Sequence, residues 1–248
     1  SILIVAGKNW EKYSISEDFE RITLQPGIIG ARVNEILKPH GRKFAPDPAS
    51  VKSAMVGGIV MNNASGMNCG THANSDKELL SAKIVLADGT RLNTGDPESR
   101  TTFERKHTPF LNKIIEIRDE IRNDNELSDR IRKKYSIKNV TGLNLLPFVI
   151  YDDPFDIIAH LMVGSEGTLA FLSEVTMKTE HDYPYSASAM LYFSNIKDAC
   201  RAVVAMKPGP VFSAELLDKK SLASVNDTTG TGLTAVLTET KADTPEEL

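Results

Sequence analysis

The sequence predicts an α+β fold in two parts, and three observations carry that prediction. β-Branched and apolar runs dominate roughly the first 180 residues. Helical periodicity gathers in one charged stretch, about 97–134, and again after residue 186. After Tyr183-Pro184 the pattern restarts as strand, helix, strand, which is a βαβ-type unit. At 248 residues, one to two domains of about 150 residues are expected. The expected parts are 1–182 and 183–248.

Taken in order, Ser1-Ile2-Leu3-Ile4-Val5 opens directly in an apolar run, so Ile2–Val5 reads as a strand. Arg21–Gln25 reads as a second strand, broken by Pro26-Gly27. From Ile28 to Leu37, the residues Ile29, Val33, Ile36 and Leu37 form one helical stripe, ended by Pro39-His40-Gly41. Phe44-Ala45-Pro46-Asp47-Pro48 must run extended, because a residue before proline is held out of the helical region. Ala82–Ala87, Asp88-Gly89 and Thr90–Leu92 read as a hairpin with an Asp-Gly turn. In the insertion, Ile114, Ile117, Ile121, Leu127 and Ile131 recur at roughly helical intervals, and the basic run Arg130–Lys134 belongs to its solvated face. The loop Gly164–Thr168 precedes a strand, Leu169–Lys178. Strand Ala187–Phe193, helix Asn195–Met206, strand Phe212–Leu217 and helix Lys219–Val225 follow. A Gly/Thr-rich loop and strand Leu233–Glu239 come next, and Thr244-Pro245-Glu246-Glu247 reads as a helix start. A chain that opens in a strand and stops one turn into a helix is expected to be a stretch of a longer protein.

Composition narrows the function classes. The formal charge of −4 makes a nucleic-acid binder a poor expectation, since phosphate binding needs a basic excess. No apolar run approaches the ~20 residues of a membrane span, so no transmembrane segment is expected. Cys69 and Cys200 form neither a disulfide framework nor a zinc pattern, which points to a reducing, cytoplasmic setting, with a peripheral place at the inner face of a membrane as the alternative for the intact protein. Cys69 is expected as a small packed thiol and Cys200 as a core residue of its helix. His40, His72, His107, His160 and His181 lack His-x-His or i,i+4 spacing, so no metal site is expected. His160 is expected to be packed or hydrogen-bonded, and Trp10 to anchor a loop.

Ala54 to Thr71 contains no charge and no aromatic ring. Gly57, Gly58 and Gly66 strip away side chains there, while Asn62, Asn63 and Ser65 add neutral hydrogen-bonding groups. Such a surface suits an extended ligand with a phosphate part and a flat heterocycle. It equally suits a tight glycine turn packed against a neighbour, and the residues alone leave both readings open. Neither a Walker A loop nor Gly-x-Gly-x-x-Gly occurs. Gly164-Ser165-Glu166-Gly167 is followed by a strand and does not match a nucleophile elbow, which makes a serine hydrolase a weak reading.

Five segments then occur in order: Pro46-Asp47-Pro48-Ala49-Ser50, Val56-Gly57-Gly58, Asn62-Asn63-Ala64-Ser65-Gly66, Ile84-Val85-Leu86-Ala87-Asp88-Gly89, and Val163-Gly164-Ser165-Glu166-Gly167-Thr168-Leu169. Together they resemble the vanillyl-alcohol-oxidase (p-cresol methylhydroxylase) type FAD-binding domain of flavin-dependent 2-hydroxy-acid dehydrogenases, with the D-lactate dehydrogenases most similar. The resemblance implies an incomplete FAD domain over 1–182, a mostly antiparallel sheet with flanking helices. It also implies the first part of a substrate (cap) domain over 183–248. It places Pro48 and Ser50 along the isoalloxazine, and Val56, Gly57 and Gly58 on the cofactor, with the two glycines donating to the pyrophosphate. Asn62, Ser65 and Gly66 would reach the flavin, with Gly70 and Thr71 continuing that wall. Pro26 and Gly27 would close near the adenine half, and Glu166 and Gly167 would line the cofactor. Two positions depart from the family pattern: Leu143 stands where a tyrosine is usual, and Ala170 where a glycine is usual.

The implied reaction is oxidation of a D-2-hydroxy acid, D-lactate first, with glycolate or 2-hydroxyglutarate as alternatives. Hydride would pass to FAD, and electrons to a quinone, cytochrome or iron–sulfur acceptor. The pyrophosphate loop is expected upstream, and the catalytic and metal-binding groups downstream. Weak or no FAD binding is therefore expected of this stretch alone, and a non-catalytic binding module is the contrasting reading.

Overall fold

The computed structural model describes residues 3–67, 69–70, 72–207, 209–225 and 233–248. They form two compact units, Ser1–His181 and Asp182–Leu248.

In the first unit the elements run β1 (Tyr13–Ile15), β2 (Arg21–Leu24), α1 (Gly30–Leu37), β3 (Arg42–Lys43), α2 (Val56–Met61), α3 (Ser75–Glu78), β4 (Leu79–Val85) and β5 (Arg91–Asn93). They continue with α4 (Pro97–Asn123), α5 (Asn125–Lys134), α6 (Leu146–Ile150), α7 (Pro154–Leu161), β6 (Phe171–Lys178) and β7 (Glu180–His181). Five strands make one antiparallel sheet in the order β1-β2-β6-β4-β5. Alternation along the strands turns Ile22, Leu24, Ala82, Ile84, Leu172, Val175 and Met177 into the core. The opposite face is polar, with Ser14, Thr23, Ser81, Lys83, Glu174 and Thr176 around a shallow depression. One buried and one wet face is how an antiparallel sheet normally divides.

The predicted hairpin is present as β4 and β5, closed by Leu86 N–H to Thr90 O at 2.8 Å, with Gly89 at φ +84°. The helical insertion is also present, divided in two. Asp124 is extended and accepts from Leu127 N–H at 2.9 Å, so it caps α5. Within α4, His107 leaves helical geometry two residues before Pro109, which cannot donate into the helix. Arg100 reaches Asp153 (2.7 Å) and Asp156 (3.2 Å), and Arg122 reaches the carbonyls of Phe148 and Tyr151 at 2.9 and 2.6 Å. These cations dock the insertion onto α6 and α7.

Two expectations fail in this unit. Leu3–Val5 is not a strand: no neighbouring strand supplies a ladder, and its side chains stand exposed. The first long helix starts at Gly30 rather than Ile28. Ile28 and Ile29 are held outside it, because Ile28 O accepts from Val56 N–H at 2.8 Å and Ile29 bridges to Met55.

The second unit comprises β8 (Tyr185–Phe193), α8 (Ile196–Met206), β9 (Val211–Leu217), α9 (Lys219–Ser224) and β10 (Thr234–Ala242). β10 lies between β8 and β9 and is antiparallel to both. Strands β8 and β9 therefore run parallel, joined through α8, which is a split version of the expected βαβ unit. The predicted Gly/Thr-rich loop lies largely outside the described residues. Cys200 is exposed, against expectation. Ala199 takes the buried place on α8, and one step of roughly 100° around the helix turns Cys200 outward. Among the described residues no helix is long and apolar enough to cross a membrane.

Candidate functional site

Helix α2 organises the site. Its buried flank is Val56, Ile59, Val60 and Met61. Its other flank carries Gly58 and Asn62, four residues apart and both exposed. Neighbouring loops are stitched to both ends. Gly57 N–H donates to Pro26 O at 3.0 Å, and Glu166 N–H donates to Met61 O at 2.9 Å. The free flank, the Pro26 turn and the 166–167 loop thus enclose a cavity of about 300 Å³. Leu3, Ile4 and Ala6 complete it on one side, and Ala170, Phe171 and Leu172 line it from the start of β6.

Pro26, Gly57, Gly58, Asn62, Glu166 and Gly167 were anticipated from sequence, and the cavity brings all six together. The two helix glycines have different reasons to be glycine. A Cβ on Gly57 would lie 2.6 Å from Pro26 Cβ, so Gly57 permits close packing, and its N–H is already taken. A Cβ on Gly58 would meet nothing within 4 Å. Gly58 is therefore bare backbone beside open space, at a helical position where glycine costs about 1 kcal/mol relative to alanine. Glu166 is held at φ +52°, a left-handed conformation that costs a non-glycine residue about 1–3 kcal/mol. Glu166→Gly is expected to stabilise the protein by about 1 kcal/mol in urea unfolding. A drop in stability would show that its side chain makes compensating contacts. Ser165 is buried and its hydroxyl donates to Met162 O at 2.7 Å, so it is a turn-former and not a nucleophile.

The remaining predicted residues lie elsewhere. Gly27 is buried beside the cavity, and Val56 points into the core. Pro48, Ser65, Gly66 and Gly70 belong to a second grouping, where Gly66 lies against Asp47 and Pro48 and Cys69 packs with Ala45. There Ala45, Cys69 and Ala73 form a small buried cluster, and the Cys69 thiol donates to Asn74 Oδ1 (3.1 Å) or Gly66 O (3.3 Å). Cys69 is the packed thiol that was expected. Lys138 Nζ donates to Gly66 O at 2.5 Å. A Cβ on Gly66 would be driven into the carbonyl of Asp47. Gly66→Ala is accordingly expected to destabilise the fold by about 1–3 kcal/mol in urea unfolding; an unchanged midpoint would mean that the loop swings freely. Ser50 is exposed in the adjoining turn, and Thr71 lies outside the described residues.

Behind α2 lies a buried polar layer. Asn63, at φ +47°, faces Asp76 across two 3.4 Å contacts. His160 Nδ1 is 2.8 Å from Asp156 O. A carbonyl only accepts, so Nδ1 carries the proton and Nε2 accepts from Tyr151 OH at 3.0 Å. Burial pushes the His160 pKa down, consistent with this neutral tautomer. The Glu78 carboxyl is buried, and its Oε2 has no partner among the described residues. Burial, then Glu180 nearby, pushes its pKa up to about 7, against the opposing pull of Lys178.

Sequence reasoning missed Met55, Met61, Phe171 and Leu172 on the cavity wall. Apolar residues at regular spacing read as core, and only the tertiary fold shows which of them border a void. Among the wall residues Glu166 is the ionisable one, so an anionic ligand would be met by backbone rather than by a cation. The residues present fit a ligand of that kind: glycine backbone along one side and apolar surface along the other.

Residues 1–95 match the family model described as FAD binding domain. The chain is similar to several named dehydrogenases and to an oxidase subunit. It is 25% identical over 213 residues to D-2-hydroxyglutarate dehydrogenase of Haemophilus influenzae, covering 81% of this chain and 20% of that one. To mitochondrial D-lactate dehydrogenase [cytochrome] 1 of Saccharomyces cerevisiae it is 26% identical over 207 residues, 83% of this chain and 26% of that one. To glycolate oxidase subunit GlcD of Escherichia coli it is 24% identical over 229 residues, 91% and 35% respectively. A solved alkyldihydroxyacetonephosphate synthase shares the fold, with a TM-score of 0.57 at 15% identity over 94% of this chain and 37% of that one. The chain spans about a fifth to a third of the length of these curated relatives.

Proposed function

We propose that this chain forms one side of the FAD site in a flavoprotein dehydrogenase of D-2-hydroxy acids. The observation that carries the proposal is Gly58, a helical glycine with no packing reason to be glycine, bordering the cavity. When bound, FAD supplies the hydride acceptor that turns a 2-hydroxy acid into its 2-oxo acid and passes electrons to a quinone, cytochrome or iron–sulfur partner. The chain's own residues bind and orient it. Gly58 and Gly167 give close backbone approach, Asn62 offers an amide, and Pro26, Phe171 and Leu172 exclude water. In this reading Pro48, Ser50, Ser65, Gly66 and Gly70 hold the isoalloxazine end, Val56 anchors the start of α2 in the core, Gly57 lets that helix lie against Pro26, and Gly27 serves the adenine end. Residues 1–182 make the cofactor domain, and 183–248 begin the substrate side.

D-Lactate is the first substrate to test. D-2-Hydroxyglutarate and glycolate follow from the names of the relatives. The full-length protein that carries this chain should purify with flavin, and anaerobic mixing with its acid should bleach the visible flavin absorption. A flavin-free preparation that also fails to take up added FAD overturns the cofactor assignment. A loaded protein that none of the three acids bleaches overturns the substrate class.

A further inference from the structure

We infer that the segment Leu3–Trp10 is a fastened wall of the flavin cavity and that Trp10 is the positioning residue that holds it in place. The inference rests on the flavin reading above. Leu3, Ile4 and Ala6 line the cavity, yet among the described residues this segment pairs with no strand. Its fastening is at the other end. Trp10 N–H donates to Gly7 O at 3.1 Å, closing a tight turn with Gly7 at φ +64°. Trp10 O then accepts from Gly27 N–H at 2.8 Å. No side chain fits at Gly27, because a Cβ there would lie 2.5 Å from Gly7 O and 2.8 Å from Trp10 O. The indole meets Phe171 edge-on, with ring centroids 5.3 Å apart at 78°. Phe171 lines the cavity, as does Pro26 next to Gly27. One residue therefore ties the segment to the cavity wall twice, by backbone through Gly27 and by side chain through Phe171.

Leu3 and Ile4 present large apolar side chains to the cavity, and a flat heteroaromatic ring has the chemistry to lie against them. Surface anchoring alone would not require Trp10 to bear on a residue of the cavity wall.

Trp10 is the only tryptophan among these 248 residues, so the difference in emission between the unsubstituted protein and Trp10→Phe reports on this wall. In the flavin-loaded protein that emission should be quenched, and stripping the flavin should restore it. Trp10→Leu should release flavin about tenfold faster, the equivalent of about 1.4 kcal/mol. Trp10→Phe, which keeps an aromatic edge against Phe171, should restore most of the difference. Ile4→Ser, a surface change that spares the fold, should give a smaller acceleration. Thermal unfolding of the flavin-free Ile4→Ser protein should match the unsubstituted one. Wild-type release rates in Trp10→Leu and Ile4→Ser, or emission indifferent to flavin, overturn the inference and leave the flavin reading intact, since flavin is still bound. A protein that never takes up flavin overturns both.

Discussion

Replacing Gly58 by leucine is expected to leave the fold standing and to cost the protein its flavin. Gly58 lies inside α2, is exposed, and has no heavy atom within 4 Å of the place its Cβ would occupy. Removing a glycine from a helix interior gains about 0.5–1 kcal/mol through the unfolded chain's lost freedom. Gly58→Ala should therefore raise the urea midpoint while weakening flavin several-fold. The leucine side chain projects further into a cavity of about 300 Å³ and should weaken flavin by about 100-fold or more, since each tenfold corresponds to about 1.4 kcal/mol of lost contact or strain. Gly57→Ala is the contrasting control. Its Cβ would press to 2.6 Å from Pro26 Cβ, so it should lose about 1–3 kcal/mol of stability. Flavin titration and urea unfolding of the three variants give opposite patterns for a ligand-facing and a packing glycine. If Gly58→Leu binds flavin like the unsubstituted protein, the cavity is not the cofactor site.

The contrast between these neighbours shows what sequence reading resolves. Both glycines announced a backbone requirement, but the requirement differs, and the difference lies in Pro26, thirty-one positions away from Gly57. Glu166 and Gly167 came from the family resemblance, since the residues by themselves showed only a Gly-bracketed turn before a strand. The hairpin at Asp88-Gly89 and the helical insertion were legible from local chemistry, namely turn residues and a helical period, whereas the division of the insertion at Asp124 was not read from the sequence. Leu3–Val5 misled because β-branched character says nothing of a partner, and a strand exists only where a ladder forms. Cys200 misled because one residue of phase on α8 separates the buried Ala199 from solvent. Phe171 and Met61 carried no signal at all. Their apolar character is shared with the core, and only the return of β6 beside α2 makes them cavity wall.

Glu78→Gln is expected to stabilise the protein at neutral and alkaline pH and to change little in acid. The carboxyl is 4% exposed at the end of α3, with one oxygen unpartnered among the described residues. Burial and Glu180 favour its neutral form, raising its pKa from 4.5 to about 7. Below pH about 4.5 the group is protonated both folded and unfolded, and it exerts no penalty. As pH rises from there, the unfolded chain releases its proton first while the folded protein keeps it, so stability falls. The fall ends near pH 7, where the folded protein ionises too. Two and a half units at 1.36 kcal/mol each set the loss at about 3 kcal/mol or less. Glutamine keeps the shape and stays neutral, so the variant escapes this loss. Asp18, Asp88, Asp152 and Asp218 have pKa values lowered by hydrogen bonds, and their contribution runs the other way in stronger acid. It is common to both proteins and cancels in their difference. Urea unfolding of the pair at pH 4, 5.5 and 8 should show that difference growing from near zero to about 2–3 kcal/mol. A difference independent of pH would mean that Glu78 titrates in the folded protein as it does in the unfolded chain, so that burial exerts no penalty on its charge.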